Sequence, residues 1–232
     1  DAAGLEYPSA DWTMDGLRAA AQALTLDNDG DGLTDQWGLY ADLYDMELFW
    51  SSAIWGYGGE IISADGTQTL LGEGPARDAW RFISDMALVD RSMPDPTQVA
   101  QFGDPFAAGV AAMTTIGHWV VPEYSQLEFG WDVAPMPAGP VGRATSVNSA
   151  GFVIASASPN ADAAWEFVSY AVGEEGQTRL TELGFAIPVL QSVAESAVYL
   201  EQTSADINHQ VFLDALEYAH VKPTFRGYEE WA

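Results

Sequence analysis

The segment from Arg143 to Pro188, RATSVNSAGFVIASASPNADAAWEFVSYAVGEEGQTRLTELGFAIP, constrains the fold most. An extended apolar run, Gly151 to Ser156, meets Ser158-Pro159 and then turns into a helical repeat. Ser158 can cap that helix, and Pro159 suits its first turn because the N–H it lacks would have no partner there. Ala163, Ala164, Phe167, Val168 and Ala171 recur at helical spacing and predict one buried face. Glu174-Glu175 opens a second, shorter helix that ends near Gly184, ahead of an Ile187-Pro188 stop.

Strands and helices alternate elsewhere too, so the expected class is α/β. Asp1 to Ser9 reads as a loop, after which Thr13 caps a helix with Met14, Leu17, Ala20, Ala21 and Leu24 on one side. Trp37 to Tyr44 reads as a strand and its exit, Glu47 to Tyr57 as an aromatic-rich helix, and Glu60 to Ser63 as a short strand. Pro75 starts a helix whose stripe is Ala79, Trp80, Ile83, Met86 and Ala87. Pro94 to Pro105 is a loop leading to a small helix, followed by strands at Ala111 to Ile116 and Trp131 to Met136. PMPAGPVG, Pro135 to Gly142, reads as a linker and a lobe boundary. Val189 to Leu200 and His209 to His220 read as helices, with an irregular end from Thr224.

Composition excludes several classes. Eight basic against 34 acidic residues leave a formal charge of −26, with Lys222 the only lysine. Such a surface repels nucleic-acid phosphates and anionic lipid, and its plainest meaning is solubility. The 48% hydrophobic content and nine Trp argue against disorder. The absence of cysteine removes disulfides, thiolate metal sites and cysteine nucleophiles. No apolar run approaches the ~20 residues that span a bilayer, and no signal segment opens the sequence.

One local motif points to a metal. Asp27, Asp29, Asp31 and Asp35, with Gly32 at the sixth place and the Leu33 carbonyl at the seventh, follow the first nine positions of a calcium loop. The twelfth position is Gly38, where a bidentate Glu is expected, so a remote carboxylate or water must complete the shell. The alternative is a solvated turn held by Asx hydrogen bonds. A scattered aromatic set (Trp50, Trp55, Tyr57, Trp119, Tyr124, Tyr228 and Trp231) has the flat apolar surfaces that a sugar site needs, although each ring alone also suits a core. Trp119 follows a strand that runs into a loop through Gly117-His118, the place where open α/β folds put ligands. An acid pair such as Glu123 with Asp132, or Glu229 with Glu230, would serve a carbohydrate hydrolase, but no motif singles either out. Nucleophile-elbow, zinc-protease and phosphate-loop motifs are absent, and His118, His209 and His220 lack metal spacing.

The opening segment, with DWTMDGLRAAAQALT, DGDGLTDQWGL, WGYGGE, FAAGVAAMTTIGHW and WDVAPMPAGP in that order, resembles the extracellular solute-binding proteins of ABC importers. It is most similar to the carbohydrate-binding group that includes maltose- and glycerol-phosphate-binding proteins. The resemblance implies a type II periplasmic-binding-protein-like fold of two lobes, here mostly the second lobe, with a mixed sheet and flanking helices. By that resemblance 1–146 belong to the second lobe, 147–188 return to the first, and 189–232 rejoin the second with a shortened end. The chain then resembles a fragment lacking most of the first lobe.

The implied activity is capture of a sugar or oligosaccharide in an interlobe cleft and delivery to a membrane permease, with no catalysis. The alternatives are an Asp/Glu hydrolase, or a carrier of a phosphorylated or acidic solute. The implied ligand residues are Trp119 as a stacking ring, with Gly117, His118, Trp50, Trp55, Asn148, Ser149, Arg226, Tyr228 and Trp231. No cofactor is required, but some relatives hold a structural Ca2+ in the Asp27–Asp35 loop. The implied location is extracellular or periplasmic, tethered to the membrane in the full-length protein. Without its first lobe such a chain exposes apolar surface and is expected to self-associate.

Overall fold

The computed structural model describes residues 3–184, 186–202 and 206–224. In chain order the elements are α1 (Met14–Ala23), β1 (Tyr40–Ala41), α2 (Trp50–Gly56), α3 (Gly74–Leu88), α4 (Pro96–Phe102) and β2 (Thr114–Thr115). There follow α5 (Val121–Tyr124), β3 (Thr145–Val147), α6 (Ala161–Val172), α7 (Glu174–Glu182), α8 (Gln191–Ala194), α9 (Ala197–Leu200), α10 (Gln210–Asp214) and β4 (Ala219–Val221). The packing separates two units. Described residues of the first fall within Asp1–Ile116, Ala134–Val147 and Tyr218–Ala232; those of the second fall within Gly117–Val133 and Asn148–Glu217.

The first unit holds the larger apolar core. Thr13 caps α1 by accepting a hydrogen bond at Oγ1 from the Gly16 amide at 3.2 Å, and Met14, Leu17 and Ala21 are buried beneath it. Every residue of α2 is buried. The longer α3 places Ala76, Ala79, Phe82, Ile83 and Met86 against the same core, while Trp80 is half-buried. Each large apolar side chain removed from water there contributes roughly 1.5–3 kcal/mol. Beside the helices, β1 and β2 pair in parallel, Tyr40 with Thr114 and Ala41 with Thr115. A second parallel pair joins β3 to β4, Thr145 with Ala219 through Val147 with Val221.

Two expectations fail in this unit. PMPAGPVG is no free linker, because Pro135 O accepts the Trp12 indole N–H at 2.7 Å and Ala138 exchanges backbone bonds with Trp12 and Met14. Gly139 lies so close to α2 that a Cβ there would meet the Gly56 carbonyl oxygen at 2.2 Å. The helix expected over His209 to His220 stops at Asp214, passes through a 3₁₀ turn at Ala215–Tyr218 and ends as β4. There the β3 edge offers backbone partners that a helix would leave unused.

In the second unit α6 packs on α7, and α7 on α8 and α9. Asn160 rather than Ser158 occupies the position before α6, and its amide donates to Ser158 Oγ at 3.2 Å. The helix expected over Val189 to Leu200 is divided at Glu195-Ser196 into α8 and α9. Gly151 to Ser156 forms no strand, since no described segment supplies the backbone partners a strand requires. Trp131 to Met136 is likewise not a strand; the Trp131 indole donates to Tyr124 O at 2.8 Å instead.

The apolar face of α6 is present but uncovered. Of its expected stripe only Ala171 is buried, and Phe167 stays 60% exposed although it touches Phe152 edge-on, at 6.0 Å between ring centroids. Val147 and Asn148 fall in different units. Residues 117–133 and 189–217 group with 148–188: α8 and α9 pack on α7, and His118 packs on Tyr199 and Phe212.

Candidate ligand-binding site

Past Ile116 the chain turns at Gly117 into a 3₁₀ turn, His118–Val120, that continues into α5. Gly117 has ordinary extended dihedrals, φ −88 and ψ 169, so it is not there for a left-handed conformation. It is there for space: a Cβ would fall 1.9 Å from Cζ3 of Trp119, whose ring folds back over it. Trp119 is 49% exposed, which leaves a large aromatic surface held against backbone and open to solvent. That combination suits a flat apolar partner.

His118 points the other way. It is 7% exposed, with its ring centroid 5.7 Å from that of Tyr199, 5.9 Å from His209 and 4.7 Å from Phe212. Neither ring nitrogen has a hydrogen-bond partner among the described residues. Burial, and then the neighbouring His209, pushes its pKa down from 6.5 to about 4, so it is neutral at pH 7. His118, implied above as a ligand residue, is placed by its side chain inside the unit, where it anchors the turn. Burial also raises the Tyr199 hydroxyl above its usual range. Tyr199, His209 and Phe212 were not legible as partners of this turn, since they come from distant segments that share no motif with it.

The other expected aromatics are placed differently. Trp50 and Trp55 are 7% and 8% exposed in the first unit's core. Trp50 packs on Trp80 at 5.2 Å, and Trp55 stacks on His220 at 4.8 Å with the rings 14° apart. Their faces pack within the first unit's core. Asn148 and Ser149 follow β3 and are exposed. Arg226, Tyr228 and Trp231 lie outside the described residues, as do Glu229 and Glu230. Glu123 and Asp132 are exposed, and Asp132 Oδ1 already accepts from the Val133 and Asn208 amides at 2.8 and 2.9 Å.

In the acidic loop Gly30 and Gly32 take positive φ, 77° and 86°, and their amides donate to Asp27 at 2.7 and 2.9 Å. The Asn28 amide donates to Asp35 at 2.6 Å. Carboxylate oxygens of Asp27, Asp29 and Asp35 lie within 4.8 Å of one another, all exposed. Asp31 is outside that group and accepts from the Leu33 amide at 2.8 Å. Three converging carboxylates fit the oxygen-seeking chemistry of Ca2+, with the remaining ligands left to water or carbonyls.

The architecture defines the class first. Over 99% of its length the chain superposes on 58% of an ABC substrate-binding protein of Listeria monocytogenes in complex with cycloalternan, with TM-score 0.83 and 24% identity. Over 96% it superposes on 58% of a maltose/maltodextrin-binding domain of Bdellovibrio bacteriovorus bound to maltotriose, with TM-score 0.77 and 20% identity. A Thermotoga lettingae solute-binding protein bound with α-D-tagatose gives 0.79 at 18% identity, covering 99% of this chain and 58% of that one. The fold is thus the type II periplasmic-binding-protein-like α/β fold.

Residues 1–178 match the bacterial extracellular solute-binding protein family, and the chain belongs to that family, one of binding proteins and not of enzymes. A protein of Brucella abortus (strain 2308), inferred to be a binding protein, is 28% identical over 99% of this chain and 55% of its own length. The chain spans about half the length of the curated relatives it matches. Among the described residues no helix is long and apolar enough to cross a membrane.

Proposed function

We propose that the chain is part of the solute-capturing component of an ABC importer and that its solute is a sugar or oligosaccharide. The observation that carries this reading is Trp119, a half-exposed ring laid over Gly117 in a turn anchored from inside by His118. A ring held this way presents its face at little conformational cost, and pyranose C–H surfaces stack on such faces. Cycloalternan, maltotriose and tagatose in structural neighbours support a carbohydrate. Asn148 and Ser149, exposed after β3, are polar groups that suit sugar hydroxyls.

In this reading the solute is held in an interlobe cleft of the complete carrier, and its contacts to both lobes favour the closed form, which docks on a membrane permease. The carrier works outside the cytoplasm, tethered to the membrane. Asp27, Asp29 and Asp35 hold a structural Ca2+ that stiffens the loop between α1 and β1 and takes no part in chemistry. Calorimetry of the chain with maltotriose, before and after Trp119→Ala, tests the reading. Saturable binding weakened by the substitution is expected; binding that ignores the substitution contradicts it.

A further inference from the structure

His118 and His209 put two imidazoles together inside the second unit, 7% and 1% exposed, with ring centroids 5.9 Å apart. Tyr199 of α9, fully buried, lies 5.7 Å from the first and 5.2 Å from the second. Phe212 of α10 closes the nest at 4.7 Å from His118. A carrier has no catalytic use for a buried imidazole pair, and a core needs none.

The groups facing His118 decide what acid does to it. From α9 it meets the Tyr199 hydroxyl, which has no hydrogen-bond partner among the described residues. From the segment ahead of α10 it meets His209, and from α10 the uncharged ring of Phe212. Glu123 of α5, the helix that continues its own turn, is exposed; among the described residues the charge effect on His118 comes from His209. A proton on His118 would therefore sit in a nest of rings beside a second imidazole, with no carboxylate among the described residues facing it, an arrangement that expels the charged ring toward water.

We propose that the His118–His209 pair is an acid-sensitive latch on the turn that carries Trp119, closed while His118 is neutral and released when it is protonated. The coupling is short. His118 is the first residue of the 3₁₀ turn and Trp119 the second, with the Trp119 ring resting on Gly117 on the other side of His118 in the chain. Withdrawing His118 from the nest rotates that turn and takes the ring off its seat. The depression of the His118 pKa to about 4, by burial and by His209, agrees with a latch that stays shut at neutral pH. The meaning for solute release rests on Trp119 being a ligand ring, as proposed above; the latch itself does not.

The test is an NMR titration of the whole chain without sugar from pH 7 to about 3.5, well below the ordinary histidine range. The His118 ring C–H and the Trp119 indole N–H are followed together. The Trp119 resonance is expected to move in step with His118, with a midpoint near 4, and to lose that response in His118→Phe. Should that variant not fold, His209→Gln serves instead: removing the second imidazole should raise the His118 midpoint and carry the Trp119 response with it. A His118 that titrates near 6.5, or a Trp119 that stays still while His118 titrates, overturns the latch. A separate sugar titration at pH 7 keeps the two ideas apart. A moving Trp119 without sugar binding sinks the functional reading alone, and sugar binding with a pH-silent Trp119 sinks the latch alone.

Discussion

Gly117→Ala bears directly on the seat of Trp119. The new Cβ would stand 1.9 Å from Cζ3 and 2.4 Å from Cε3 and Cη2 of the ring, against the 3.4 Å at which ordinary contact begins. The ring must therefore retreat by about 1.5 Å or more. Backbone strain is not involved, since φ at 117 is −88°. Because the ring is half-exposed it can swing outward, so the overpacking penalty falls at the low end of about 1–3 kcal/mol. A displaced stacking ring forfeits about 0.5–1.5 kcal/mol of aromatic contact, which weakens Kd roughly 2- to 12-fold. Melting and maltotriose titration of Gly117→Ala are read against Gly130→Ala, where a Cβ meets nothing within 4 Å. The expected outcome is a small loss of Tm with a clear loss of affinity, and the control unchanged in both. Full affinity in Gly117→Ala would refute the stacking role of Trp119. A collapse of stability would show the ring is locked in place rather than free to swing.

Other consequences are equally concrete. His118 binds its proton less readily folded, with a pKa of about 4, than unfolded, at about 6.5. Its contribution is thus complete above pH 6.5 and lost as pH falls toward 4, on the order of 3 kcal/mol. Thermal melts should show that slope shrinking in His118→Phe; a slope unchanged by the substitution contradicts the burial. Calcium should raise Tm by an amount that grows with concentration, equivalent to about 2.7 kcal/mol at a hundred times Kd, and Asp29→Asn should remove the effect. A melt indifferent to calcium rejects the metal loop. The uncovered face of α6, with Phe152, Val153, Trp165, Phe167 and Tyr170 exposed, should make the chain self-associate in sedimentation, less so in Phe167→Ser. A clean monomer with ordinary melting contradicts this.

Local signals were legible wherever the partner lay close in sequence. Thr13, the α3 stripe and the left-handed Gly32 follow from capping, periodicity and turn chemistry alone. What period alone cannot supply is the identity of the partner surface. Phe167 and Val168 carry the spacing of a buried face, yet burial depends on what stands opposite, and among the described residues Phe152 touches Phe167 only edge-on and leaves it exposed. Gly151 to Ser156 has strand composition but no neighbour to pair with, whereas His220 sits in a stretch of helical composition and becomes a strand because β3 is available. The site shows the same split. The exposure of Trp119 follows from its place in a loop after a strand, while Trp50 and Trp55 have the same chemistry and are core. Sequence cannot show which way the His118 side chain turns; its nest is assembled from α9, α10 and the segment between them.

The most direct test of carbohydrate capture follows the Trp119 indole N–H by NMR while maltotriose, and then tagatose, is added to the chain at pH 7. Sugar capture predicts a saturable shift of Trp119 with at least one of them, and a matching loss of binding heat in Trp119→Ala. A Trp119 resonance that never moves, or calorimetric binding that survives Trp119→Ala undiminished, would contradict it.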